Sequence, residues 1–286
     1  MKIYRLTFLV FFILNLGACA WFDVKQREAI YRPTLGMTSD VPSLRPDDER
    51  FFAEVPRSGG QRVELWWLPH ADKNAPTLLY LHGTFRTLFE NQHKIDALRA
   101  AGFAVLAVDY RGWGLSTPIT PSEQTILQDA DLAWAELQRR ETRPGQRLIY
   151  GHSMGSAVAV DLASRLQAKQ DFGALILESA FSSFRDVASE AGFLARVLML
   201  FSRERFASID KIAQVHAPLL ILHGTQDTTI PISLGQKLFS VANPPKQWQA
   251  IEGGAHSDLN LVAPLAYQAV LKGFTKTYLS APEPLK

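Results

Sequence analysis

The sequence predicts an α/β protein: a mostly parallel, doubly wound sheet with helices on both faces, an N-terminal β-hairpin and a minimal cap. Three observations carry that expectation. Short, nearly continuous apolar runs recur from residue 77 onward, as strands covered on both faces require. Stretches with helical periodicity separate them. One run, "RLIYGH", passes through a glycine-framed serine, "GHSMGS" (151–156), into an apolar helical stretch.

The chain opens with "MKIYRLTFLVFFILNLGACAW". Lys2 and Arg5 precede an apolar run from Leu6 to Leu14, and the small residues Gly17, Ala18, Cys19 and Ala20 close it. That order is the shape of a secretory signal, expected over residues 1–18. The run is shorter than the roughly 20 residues a membrane span needs. Cys19 is the one cysteine in the chain, so an exported form has no internal disulfide. "LGAC", residues 16–19, resembles the lipobox of bacterial lipoproteins. The resemblance implies that Cys19 becomes the acylated first residue of the mature chain. Ala20 stands where inner-membrane lipoproteins often carry Asp, which implies an outer-membrane anchor facing the periplasm.

Residues 19–50 are polar, rich in proline and acid, and lack periodicity, so a tether or irregular arm is expected. A single domain is expected over 51–280. Its first element is a hairpin around "RSGG" (57–60), with Val63, Leu65 and Trp67 alternating against Arg62, Glu64 and Trp66. Strands are expected at 77–82, 103–110, 147–152, 174–179, 219–224 and 248–253. Between the second and third of these lies a helix over 123–140, with Ile126, Ala130, Ala133, Trp134 and Leu137 on one face.

Composition excludes several function classes. The formal net charge is +2, and removing residues 1–18 takes away two positive and no negative charges, cancelling it. No basic footprint for nucleic acid remains. Metal-ligand clusters, a phosphate loop and a dinucleotide fingerprint are all lacking in the sequence, so no cofactor is expected. The expected partners are a small ester or acyl-lipid substrate and, through the N-terminal anchor, a membrane; a monomer is expected.

Ser153 sits between the apolar strand "RLIY" and the helical "SAVAVDLASRLQ". In that context G-x-S-x-G makes a turn so sharp that the serine oxygen is left exposed at the strand's C-terminal end. The helix start also points free N–H groups at an oxyanion formed there. A serine hydroxyl needs a base, and the base a carboxylate to orient it; on this kind of turn the acid and then the histidine follow in the chain. His216, His223 and His256 follow Ser153. His256, in the glycine-containing loop "EGGAHSDLN", is the expected base, whereas His223 ends a strand and reads as structural. Asp227, in the loop "LHGTQDTTIP", is the expected acid. Its rivals are Asp258, too close in sequence to His256, and Asp109, which precedes the serine. Oxyanion donors are expected at the N–H groups of Met154 and Thr84, with Phe85 as an alternative to Thr84. His82 is expected to brace that loop.

"LHGT", "DYRGWGLS", "GHSMGS", "LHGTQDTTIP" and "GGAHSDL" occur in the order and spacing of the α/β-hydrolase superfamily. The chain most resembles its monoglyceride-lipase-like branch of serine hydrolases, over about residues 60–275. The resemblance implies the α/β-hydrolase fold and a Ser–Asp–His hydrolase working through an acyl-enzyme on carboxylic, thioester or lysophospholipid bonds. The chain departs in "HGTF", where many relatives carry asparagine after the glycine. Caps in this family are inserted between the strand ending near Ser179 and that starting near Pro218. There Leu194, Val197, Leu198 and Phe201 share a helical face, to line an acyl pocket or to pack on the sheet. Trp113 and Arg86 stand near the expected site. Peptidase or acyltransferase chemistry on the same residues, or a non-catalytic lipoprotein scaffold, are the alternatives.

Overall fold

Alternation along the central strands divides their side chains between two cores. In β3 (Thr77–Leu81), Leu79 and Leu81 enter one core while Leu78 and Tyr80 enter the other. The same split recurs in β5 (Arg147–His152), β6 (Ala174–Glu178) and β7 (Leu219–Gly224), each buried along its whole length. Such strands can lie only inside a sheet covered on both faces. In the computed structural model, which describes residues 20–36, 45–84 and 86–279, they form the middle of an eight-stranded sheet. The expected signal peptide, Cys19 and Phe85 lie outside the described residues.

The strand order is β1-β2-β4-β3-β5-β6-β7-β8. Strands β1 (Glu49–Glu54) and β2 (Arg62–Leu68) form the expected hairpin, and β2 pairs antiparallel with β4 (Ala104–Asp109). All other pairs, out to β8 (Lys246–Ile251), are parallel. After β4 the chain returns past β3 and builds outward on its other side through β5. The reversal opens a crevice at the C-terminal ends of β3 and β5, where ligands bind in open α/β sheets.

Helix α1 covers residues 20–31. It differs from the expected irregular arm, because its far end is held by burial. Tyr31 is fully buried, packs edge-on against Trp113 and Phe206, and donates its hydroxyl to Glu204. Helix α2 (Gln92–Ala100) covers one face of the sheet and α3 (Glu123–Arg140) the other. The expected apolar face of α3 is buried, and its start is a capping box in which Ser122 and Thr125 exchange hydrogen bonds, worth about 1 kcal/mol. Helix α4 (Met154–Ser164) follows β5. The cap is two seven-residue helices, α5 (Phe184–Glu190) and α6 (Phe193–Met199). Helices α7 (Ile232–Val241), α8 (Leu259–Val262) and α9 (Pro264–Tyr278) complete the layers.

Candidate active site

The glycines around Ser153 answer to close approach. A Cβ on Gly151 would stand 2.2 Å from the carbonyl oxygen of Gly155, and one on Gly155 would stand 2.0 Å from that of Leu81 in β3. Neither neighbour is a side chain that could swing away. Strand, helix and adjacent strand therefore touch backbone to backbone, and the turn between β5 and α4 is reduced to Ser153 alone. Ser153 carries φ +54° and ψ −123°, a conformation that costs a side-chain-bearing residue roughly 1–3 kcal/mol. Its amide donates to the Glu178 carbonyl at 2.9 Å, which anchors the strained turn to β6.

The loops after β7 and β8 bring two further side chains to the serine. His256 Nε2 lies 2.8 Å from Ser153 Oγ, and Nδ1 lies 2.8 Å from Asp227 Oδ2. The other carboxylate oxygen accepts from the amides of Thr229 (3.0 Å) and Ile230 (2.8 Å). Asp227 thus closes its own turn with one oxygen and meets the imidazole with the other. Burial alone would raise its carboxyl. Hydrogen bonds from His223 and His256, the His256 charge and the Ile230 amide outweigh that and hold it well below the usual carboxylate range. The arrangement can withdraw a proton from Ser153 and stabilise the imidazolium that results.

Thr84 follows β3 by three residues and, with Ser153, borders both hollows at the site. Met154 is the first residue of α4, so its amide has no partner within the helix. It lines the larger cleft, of about 470 Å³. The alternative donor, Phe85, is outside the described residues. Arg86 lines the small hollow beside Ser153. His82 is buried, with Nδ1 2.6 Å from the Gly83 carbonyl, and burial lowers its pKa to about 4. Its other nitrogen stands 3.3 Å from Asp109, itself fully buried and pushed well above the usual carboxylate range by burial and by Glu64. Asp258 is elsewhere engaged, accepting from the Ala255 amide at 2.7 Å to close the loop that carries His256.

Two supports were not legible in the sequence. The carbonyl of His256 is held by His152 Nε2 at 2.9 Å and by Ser179 Oγ at 3.0 Å, so the base is fixed through its backbone. Behind them lies a fully buried ion pair, Lys94–Glu178, with the hydroxyls of Tyr150 and Tyr267 also donating to Glu178. Burial opposes the Glu178 charge, but Lys94 outweighs it and lowers the carboxyl to about 2. His223 is likewise fully buried, donating to the Ile230 carbonyl at 2.9 Å and stacked on Trp248.

The apolar face expected on the cap divides: Leu198 lines a neighbouring cleft against α1, whereas Leu194 and Phe201 meet neither expectation. Leu194 and Phe201 are about 70% exposed and neither border the cleft at Ser153 nor pack on the sheet. The cleft is walled instead by Phe181, Phe184, Val187 and Met199 of the cap region and by Ile30 of α1. Trp113 is core, beneath His82 and Tyr31.

Comparison with known proteins gives a consistent picture. The family model described as serine aminopeptidase, S33, matches residues 72–209. The chain is 32% identical over 206 residues to the alpha/beta hydrolase domain-containing protein 17B of Xenopus tropicalis, covering 71% of this chain and 68% of that one. It is 31% identical over 241 residues to a lysophosphatidylserine lipase of Rattus norvegicus, covering 77% of this chain and 60% of that longer protein. An esterase of Pyrococcus furiosus superposes with a TM-score of 0.67 at 18% identity, over 86% of this chain and 98% of that one, a likeness of fold.

Proposed function

The chain belongs to the α/β-hydrolase superfamily and is a hydrolase, and from that premise we propose that it is a serine esterase acting on carboxylic esters of acyl lipids. The observation that supports this reading most is the continuous array Ser153 Oγ–His256–Asp227, with both contacts at 2.8 Å. In the proposed reaction Ser153 Oγ attacks the ester carbonyl as His256 Nε2 takes its proton. The amides of Met154 and Thr84 receive the oxyanion. Collapse breaks the bond to the leaving alkoxide, which takes the proton from His256, and leaves an acyl-Ser153. Water, deprotonated by the same histidine, then releases the acid and restores the serine.

The same array could serve amides, and the matched family carries the description of an aminopeptidase. Cleaving from an amino terminus calls for a carboxylate to hold the ammonium group. Among the described residues no Asp or Glu lines either hollow at Ser153, whereas the larger is walled mostly by apolar side chains. That favours an acyl ester. Labelling with a fluorophosphonate tests the nucleophile: the wild type should be labelled and Ser153→Ala should not, with p-nitrophenyl butyrate turnover falling to the residual ~10³-fold over water. An unlabelled wild type, or labelling of Ser153→Ala, would overturn the assignment.

The reading includes a bacterial lipid anchor at Cys19, holding the enzyme at the outer membrane on its periplasmic side. Its support is the lipobox-like "LGAC" after an apolar run. Cys19→Ser should abolish acylation and move the protein from the membrane to the soluble fraction. A variant still acylated and sedimenting with membranes would refute the anchor.

A further inference from the structure

The cleft at Ser153 has a neighbour across the cap. A second cleft, of about 450 Å³, lies between α1 and the cap helices, and Ile30, Ala188 and Met199 line both. Its other walls are Trp21, Phe22 and Ala29 from α1 and Ala195 and Leu198 from α6. Two polar side chains share the α1 wall, and both are engaged. Lys25 pairs with Glu28 at 2.7 Å, and Gln26 Nε2 donates to the Leu198 carbonyl at 2.8 Å. What faces the cleft is therefore almost wholly apolar. The partition between the two clefts is a thin one, in which Met199 is an unbranched thioether that can change rotamer readily. Outside, Phe193, Leu200 and Phe201 are exposed, as is much of Trp21 at the cleft wall, so the region around the second cleft is itself apolar.

A short acyl group needs no more than the first cleft, and the second adjoins that cleft behind residues common to both. Resting on the esterase reading, we infer that the second cleft is an acyl-chain site: the acyl group of the substrate runs from Ser153 past Ile30 and Met199 and ends between α1 and α6. The substrate class is then an ester of a long, unbranched acyl chain. Helix α1, outside the segment matched by the family model, supplies one wall of the specificity site. Each methylene buried there raises kcat/KM about fourfold until the cleft is full, and the gain falls mainly in KM, since the chain is bound alike in the ground and transition states.

The test is the chain-length profile of the purified protein with p-nitrophenyl butyrate, octanoate and laurate, each below its aggregation concentration. Wild-type kcat/KM should rise at least about a hundredfold from butyrate to laurate. Ala195→Trp, which fills the second cleft far from Ser153, should lower the laurate-to-butyrate ratio at least tenfold. Leu194→Trp, on the same helix but outside the cleft, should leave that ratio as it is. Butyrate turnover with a profile that is flat or falling overturns the acyl site while the esterase reading stands, and so does an unchanged ratio in a folded Ala195→Trp. Should that variant not fold, Ala29→Trp, on the α1 wall of the same cleft, takes its place. No turnover of any of the three esters overturns the esterase reading, and the acyl site with it.

Discussion

Replacing Asp227 by Asn changes little in shape and reverses the proton order of the array. Asp227 Oδ1 accepts from the amides of Thr229 and Ile230 at 3.0 and 2.8 Å. An asparagine must keep its oxygen there, because an NH₂ group facing two N–H donors would leave all of them unpaired. Its NH₂ then occupies the position of Oδ2, 2.8 Å from His256 Nδ1. That nitrogen now has to accept, and the imidazole proton moves to Nε2. Nε2 is the atom 2.8 Å from Ser153 Oγ, so it donates where the reaction needs it to accept. The expected loss in kcat is about 10⁴-fold, or roughly 5.4 kcal/mol at 1.36 kcal/mol per decade. Stability should fall only modestly: the turn keeps both of its hydrogen bonds, while the charge-assisted contacts of the carboxylate with His223 and His256 are lost. Steady-state hydrolysis of p-nitrophenyl butyrate, with thermal denaturation beside it, reads both quantities. A loss below tenfold would refute the reasoning and leave Asp227 as a turn-forming residue only. Adding His256→Ala should worsen the more damaged single variant only slightly, because the members act as one device.

Other expectations follow from the buried groups. Burial lowers His152 to about 3, whereas in the unfolded chain it titrates near 6.5. The unfolded state therefore binds the extra proton below pH 6.5, and stability is full above that pH and falls as pH drops. Between pH 7 and pH 5 this one group removes about 2 kcal/mol; unfolding free energies from denaturant titrations of wild type and His152→Asn should diverge by that amount over the same range, and parallel pH dependences would contradict it. Lys94→Met strands the Glu178 carboxylate in the core and should cost about 3–5 kcal/mol, a fall in Tm on the order of 10 °C. Lys94→Met combined with Glu178→Gln should recover part of that loss, and a double variant no more stable than the single would argue against the ion pair as the cause. Gly155→Ala drives a methyl group against the Leu81 carbonyl and should cost about 3 kcal/mol or more; a wild-type Tm would mean that β3 and α4 can separate freely.

The sheet was legible because its strands are apolar on both faces and punctuated by turn residues. β5 and β7 run over 147–152 and 219–224, and α3 over 123–140, as their patterns predict. Chain order and loop glycines pointed to Ser153, Asp227 and His256, and the structure brings all three into hydrogen-bond contact. Helix α1 was not legible, because the Tyr31 hydroxyl that pins it finds its acceptor at Glu204, far along the chain. The supports of His256 were hidden for a similar reason. His152 and Ser179 act on a backbone carbonyl, which leaves no trace in residue type. Lys94 looks like a surface residue on α2 until Glu178 is brought opposite it from β6. Leu194 and Phe201 misled in the other direction: helical periodicity says that residues share a side, not that anything covers it.

Helix α1 also turns a leash into a strut. A flexible arm of about 30 residues has a root-mean-square span of roughly 30 Å, and a domain hung from it would wander through a deep volume. Residues 20–31 as a helix rise about 18 Å in all, and the end remote from Cys19 is locked into the domain by Tyr31. Were the proposed acyl anchor at Cys19 in place, the mouth of the cleft would be held at a nearly constant height over the lipid headgroups. Its encounters with substrate would then depend on lateral diffusion in a plane. Esters dissolved in the surrounding compartment would reach it no faster than they would any untethered enzyme, while those in the adjoining leaflet would meet it at a standing, high local density.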